Sequence, residues 1–113
     1  MTLPDSVELN GTLYEFDFRG YLQDFSRWSP QLMDWYAERE KIELTVEHRK
    51  VIDFLRIFFA EKKVHPVARS FAEEMGETLG REKGTVKYLH TLFPTGIHQA
   101  YKIAGLPRIL LSV

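Results

Sequence analysis

The sequence predicts a mostly α protein of the α+β kind, in which an N-terminal β-hairpin is followed by a bundle of about five helices and a C-terminal arm. Three observations predict it. Asn10-Gly11 separates two short runs of strand-forming residues; apolar residues recur at helical spacing from Leu32 onward; and proline and glycine break that pattern at Pro66, Gly76, Pro94, Gly96, Gly105 and Pro107. With 113 residues, 44% hydrophobic and 13% aromatic, there is material for one packed core, so a single domain is expected over residues 1–113.

The hairpin spans Val7 to Phe16, because Asn-Gly supplies the two positive-φ positions of a type I′ turn. Asp17 to Gly20 reads as a second turn, after which Tyr21 and Leu22 add a short third strand. Ser29 is the N-cap of a first helix, about Pro30 to Glu40, with proline at the first position, where its missing N–H costs nothing. Thr45 caps the second, about Val46 to Lys63, whose stripe of Val51, Ile52, Phe54, Leu55, Phe58 and Phe59 makes it the expected centre of the core. Glu47 in its first turn and Lys62-Lys63 in its last suit the macrodipole. Pro66 starts the third, where Val67, Phe71 and Met75 share a face and Gly76 ends it. Gly80 and Gly84 bracket a charged turn. Val86, Leu89 and Leu92-Phe93 give the fourth helix, stopped by Pro94 and Gly96, and the fifth runs from about Ile97 to Ala104. Arg108 to Val113 remain as the arm.

The chain contains no cysteine, which excludes a disulfide framework, a thiolate zinc site, an iron–sulfur cluster and any cysteine nucleophile or persulfide chemistry of its own. Met1 to Asn10 carries Pro4, Asp5 and Glu8 with no cation or apolar run, unlike a secretory or transit signal, and no stretch approaches the roughly 20 apolar residues that span a bilayer. A cytoplasmic protein without membrane contact is expected. The net charge of −1 conceals a split: residues 1–82 hold 11 cations and 16 carboxylates, whereas residues 83–113 hold Lys83, Lys87, Lys102 and Arg108 and no carboxylate. That basic quarter suits an acidic partner.

Catalytic and metal patterns are absent. His90 and His98 lie eight residues apart across a helix break, not at the spacing that sets two ligands on one face, so His48, His65, His90 and His98 are read as surface or capping residues, with no metal. Glu38/Glu40 and Glu73/Glu74 are read as solvated faces. Gly76, Gly80 and Gly84 lack the spacing of a phosphate-binding loop and are read as turn residues. Pro66 to Phe93 has the outline of a helix-turn-helix, with Arg69, Arg81, Lys83 and Lys87 as candidate phosphate contacts for DNA.

The blocks Lys87-Tyr88-Leu89, Leu92-Phe93-Pro94-Thr95-Gly96 and Lys102-Ile103-Ala104-Gly105-Leu106-Pro107 resemble the C-terminal signature of the DsrC/TusE family. The resemblance extends upstream through Asn10-Gly11, Glu43-Leu44-Thr45, Val51 to Arg56 and Pro66-Val67-Ala68-Arg69, covering about Val7 to Val113. It implies a small helical protein with an N-terminal hairpin and a C-terminal arm that reaches into a partner. In DsrC the arm carries two cysteines and serves as the sulfur-carrying substrate of dissimilatory sulfite reductase; TusE-like members keep the penultimate cysteine and relay persulfide sulfur. In this chain those two positions fall on Tyr101 and Ser112, and Ile109-Leu110-Leu111 replaces the small residues usual between them.

A serine hydroxyl is not ionised at neutral pH and has no persulfide form, and a phenol has none either. The first expectation is therefore a non-enzymatic protein of sulfur metabolism, without cofactor, acting by protein binding or regulation and unable to carry persulfide sulfur. Its partners would be sulfur-relay proteins or dissimilatory sulfite reductase, met by Lys102, Gly105, Leu106, Pro107, Arg108, Leu110 and Ser112. A DNA-binding regulator using residues 66–93 is the second reading. A TusE-like sulfur-relay component, which the family label implies, is the third.

Overall fold

The computed structural model describes residues 5–108. Strands β1 (Ser6–Leu9) and β2 (Thr12–Glu15) pair antiparallel with Val7 opposite Tyr14 and Leu9 opposite Thr12. Asn10 at φ 49° and Gly11 at φ 85° make the expected turn. The third strand is corrected: Phe16 and Leu22 form one isolated bridge, because Asp17 folds the chain into a tight turn there, its Oδ1 accepting from Arg19 N and Tyr21 N. Buried Tyr14 joins the hairpin to the bundle through a 2.7 Å hydrogen bond between its hydroxyl and that of Ser29.

Five helices follow: α1 (Pro30–Glu40), α2 (Val46–Lys62), α3 (Ala68–Leu79), α4 (Val86–Leu92) and α5 (Ile97–Ile103), with single 3₁₀ turns at Phe25–Arg27 and Arg81–Lys83. Ser29 caps α1 by accepting from Leu32 N, and Lys41 ends it in a left-handed conformation. At α2, Thr45 Oγ1 accepts from His48 N while His48 Nδ1 accepts from Thr45 N, a capping box in which histidine stands where Glu or Gln is usual. The other ring nitrogen, Nε2, donates to Leu92 O at 2.7 Å, so buried His48 ties α2 to the end of α4. Of the surface or capping role expected for His48, the capping part holds and the surface part is corrected.

Helix α3 does not end at Gly76 but runs on to Leu79 and stops at Gly80, whose φ is 124°. Gly76 is a packing residue. A Cβ on Gly84 would lie 2.7 Å from Gly76 Cα, so the two glycines let the start of the α4 segment pass directly over α3.

The core gathers Ile52 and Leu55 of α2, Phe71 and Met75 of α3, Leu32 and Tyr36 of α1, and Phe93, Ala100, Ile103 and Leu106 from the C-terminal segment. Helix α2 is central, as expected, yet α5 packs against both α1 and α2, and the residues just beyond it are as deeply buried as any. Among the described residues no helix is long and apolar enough to cross a membrane.

Candidate functional site

The arm leaves α5 through a Schellman motif: Gly105 N donates to Lys102 O and Leu106 N to Tyr101 O, both at 3.0 Å. Gly105 sits at φ 78°, and a Cβ there would fall 2.4 Å from Trp28 Cδ1. Glycine is thus required twice, for the backbone and for the ring beside it. The carbonyls that the helix end leaves over are taken by side chains from far along the chain. Trp28 Nε1 donates to Ile103 O at 2.8 Å, and Arg56 Nη1 donates to Ala104 O at 3.1 Å and to Phe25 O at 3.2 Å. The Arg56 guanidinium lies 3.8 Å from the Phe25 ring centroid and 4.5 Å from that of Trp28. Burial pulls its pKa down to about 10, still high enough to keep it cationic at neutral pH.

Three residues past Ala104, His65 Nε2 bonds to Pro107 O at 2.6 Å, its ring packed edgewise against Phe59 and Tyr101. Burial pushes the His65 imidazole below its ordinary value, against the Pro107 carbonyl, which favours the protonated ring. Arg108 closes the series: its Nε lies 3.3 Å from Asp17 Oδ2 and its guanidinium 4.6 Å from the Phe18 ring. Three long-range hydrogen bonds thereby fix the backbone from Ile103 to Pro107, and a fourth contact holds the Arg108 side chain.

Tyr101, which the family resemblance sets at the first of two cysteine positions, is buried beneath this clamp and donates to Pro66 O at 2.5 Å. Burial pushes its phenol up to about 12, so it is a neutral hydrogen-bond donor near pH 7. Ser112 and Leu110 lie outside the described residues. Gly105 and Leu106, expected at a partner surface, are buried and anchor the arm instead. Pro107, Arg108 and Lys102 are half-buried, the Lys102 ammonium lying 5.3 Å from the Tyr21 ring.

The DNA candidates do not converge. Arg69, Arg81 and Lys87 are exposed, but Lys83 is engaged: its ammonium and the Tyr88 hydroxyl both donate to the Glu47 carboxylate, and Lys83 and then Tyr88 hold that carboxyl below its usual range. The α4 helix that would read bases has seven residues, and its buried Leu89 and Leu92 face the core. Glu40, read from sequence as solvated, accepts from Gln99 Nε2 at 2.9 Å. No group of His, Asp and Glu able to hold a metal ion occurs among the described residues.

Sequence reasoning missed Trp28 and Arg56, and read His65, which bonds to the arm root, only as a surface or capping residue. Arg56 left a signal: it is a lone cation inside the apolar stripe of α2, where a charge persists only with partners.

The family described as "DsrC like protein" matches residues 8–109. Sulfurtransferase TusE of Yersinia pseudotuberculosis is 41% identical over 103 residues, covering 90% of this chain and 95% of that protein. Sulfurtransferase TusE of Escherichia coli K12 is 43% identical over 99 residues, covering 87% and 91%. Among solved structures, Allochromatium vinosum DsrC superposes with a TM-score of 0.86 at 39% identity, covering 96% of this chain and 98% of that one. The oxidised γ subunit of dissimilatory sulfite reductase from Archaeoglobus fulgidus does so at 0.87 and 31%, covering 96% and 99%. Names drawn from sulfur transfer, at this coverage, overturn the first two expectations, a non-catalytic regulator and a DNA-binding protein; the sulfur-relay reading fits them. From fold, arm root and relatives together, the chain belongs to the DsrC-like family.

Proposed function

We propose that this chain is a sulfur-relay component of the TusE kind, working with sulfur-relay proteins or a dissimilatory sulfite reductase. The observation that carries the reading is its alignment with sulfurtransferase TusE over about nine tenths of both chains, and the clamped arm root supports it. In a relay step an acceptor thiolate attacks the outer sulfur of a donor persulfide, the S–S bond breaks, and the donor departs as a thiolate with no net oxidation. Both ends of that step are thiols, and the chain has none. Trp28, Arg56, His65 and Asp17 hold the root of the arm as far as Arg108.

The test restores the missing atom. Ser112→Cys, mixed with a sulfurtransferase carrying protein-bound persulfide, should gain about 32 Da, one sulfur atom, by intact-mass measurement. The parent chain should gain nothing. If Ser112→Cys stays unloaded while a TusE relative loads in the same mixture, the scaffold does not occupy a relay position and the reading falls.

A further inference from the structure

Beside the arm root lies an open basin of about 410 Å³ lined by Phe18, Arg19, Tyr21 and Lys102. Its floor and rim come from the Asp17–Gly20 turn and from α5, segments some eighty residues apart in sequence. Phe18 is 77% exposed, the largest exposure of any bulky apolar residue among those described. Two guanidinium groups stand over its ring, Arg19 at 5.5 Å and Arg108 at 4.6 Å from the centroid. The Lys102 ammonium stands over the Tyr21 ring.

The charges here are unbalanced. Asp17 is the carboxylate at the site, and both its oxygens are used: Oδ1 by the backbone of Arg19 and Tyr21, Oδ2 by Arg108. Among the described residues no carboxylate lies within ion-pair distance of Arg19 or Lys102. Three cations thus face Asp17, with Glu40 also near enough to act on Tyr21, on a molecule whose net charge is −1. An exposed aromatic ring with Arg19 over it and Lys102 nearby, neither in an ion pair among the described residues, matches a ligand that has an apolar side chain next to carboxylates.

We propose that this basin is a docking site for an acidic segment of a partner protein, in which an aromatic or aliphatic side chain packs on Phe18 while neighbouring carboxylates pair with Arg19 and Lys102. A single small oxyanion would leave Phe18 wet and most of the volume empty. A nucleic acid would bring a long run of phosphates against a body with a surplus of acid, since all 16 carboxylates lie in residues 1–82. A short acidic segment meets the local charge without meeting that field. The inference rests on the relay reading for the identity of the partner, but not for the binding itself.

The probe is the hexapeptide Glu-Glu-Leu-Phe-Glu-Glu with blocked ends, titrated into the full ¹⁵N-labelled chain and followed by amide chemical shifts. Saturable shifts confined to Phe18, Arg19, Tyr21, Lys102 and Arg108 are expected, with affinity falling between about 50 and 300 mM salt. The glutamine version of the peptide should bind at least about tenfold more weakly. Arg19→Glu combined with Lys102→Glu should abolish the shifts; should that pair perturb the fold, Arg19→Gln and Lys102→Gln serve, each weakening binding while the rest of the spectrum is retained. Shifts spread elsewhere, equal binding of the glutamine peptide, unchanged affinity in the charge variants, or tighter binding of a short DNA duplex at the same residues would overturn the proposal. If the peptide binds but Ser112→Cys is never loaded, the basin stands and the relay reading falls; if loading occurs but the peptide is not bound, the reverse holds.

Discussion

Gly105→Ala is a direct probe of the arm root. Alanine at φ 78° costs about 1–2 kcal/mol in backbone strain. Its Cβ would also stand 2.4 Å from Trp28 Cδ1 and 2.9 Å from Cγ, so the indole must move and loosen its hydrogen bond to Ile103 O. Overpacking of that kind adds about 1–3 kcal/mol, for a total of about 2–5 kcal/mol. A small domain has only about 5–15 kcal/mol to lose, so the effect is easily measured. The assay is urea denaturation followed by helical circular dichroism, on the parent, Gly105→Ala, Trp28→Ala and the double variant. With the ring gone the two shortest approaches disappear and only the one to the Trp28 Cβ, 3.0 Å, is left, so Gly105→Ala should cost little beyond the backbone part. The coupling between the two sites is therefore about 1–3 kcal/mol, the steric contribution alone. A Gly105→Ala penalty that is identical in both backgrounds, or below about 0.5 kcal/mol in the parent, would refute the geometry.

Other outcomes follow from the same contacts. The folded state disfavours the His65 imidazolium, so the unfolded chain takes up the proton more readily; stability should fall as pH drops through about 6.5 and level off once the folded form is protonated too. His65→Gln should flatten that slope in urea midpoints measured across the range. Ultraviolet titration should find one phenol ionising near 12, absent in Tyr101→Phe, which should also lose about 1 kcal/mol with its bond to Pro66 O. His48→Ala strands the Leu92 carbonyl and opens the α2 cap, and thermal unfolding should report a loss of about 2 kcal/mol.

The local elements were largely legible in the sequence, because they are set by short-range chemistry: Asn10-Gly11 can hardly be other than the hairpin turn, and Ser29-Pro30 and Thr45 mark helix starts by their own side chains. What was illegible depends on residues brought together across the chain. Gly76 carries the signature of a helix end, and only the approach of Gly84 reveals that its missing side chain makes room for a neighbour. Gly105 and Leu106 belong to a block that the family resemblance assigns to an arm, and nothing local says that Trp28, 77 residues before Gly105, leaves them no room to face a partner. Phe18 and Arg19 look like an ordinary turn until α5 places Lys102 beside them. The motif spacing of the family resemblance singles out Tyr101, yet its burial follows only from the packing of α5.

The deep placement of residues 100–106 bears on how the protein is made. Ala100, Ile103, Ala104 and Leu106 are fully buried between elements synthesised long before them. While the chain emerges from the ribosome, α1 and α2 expose the apolar surface that α5 will cover, and Trp28 and Arg56 wait for carbonyls not yet formed. The core therefore closes only once residues 100–106 have emerged, in a step that joins distant segments. Gly105 and Leu106, expected at a partner surface, thus belong to the keystone of the chain's own fold.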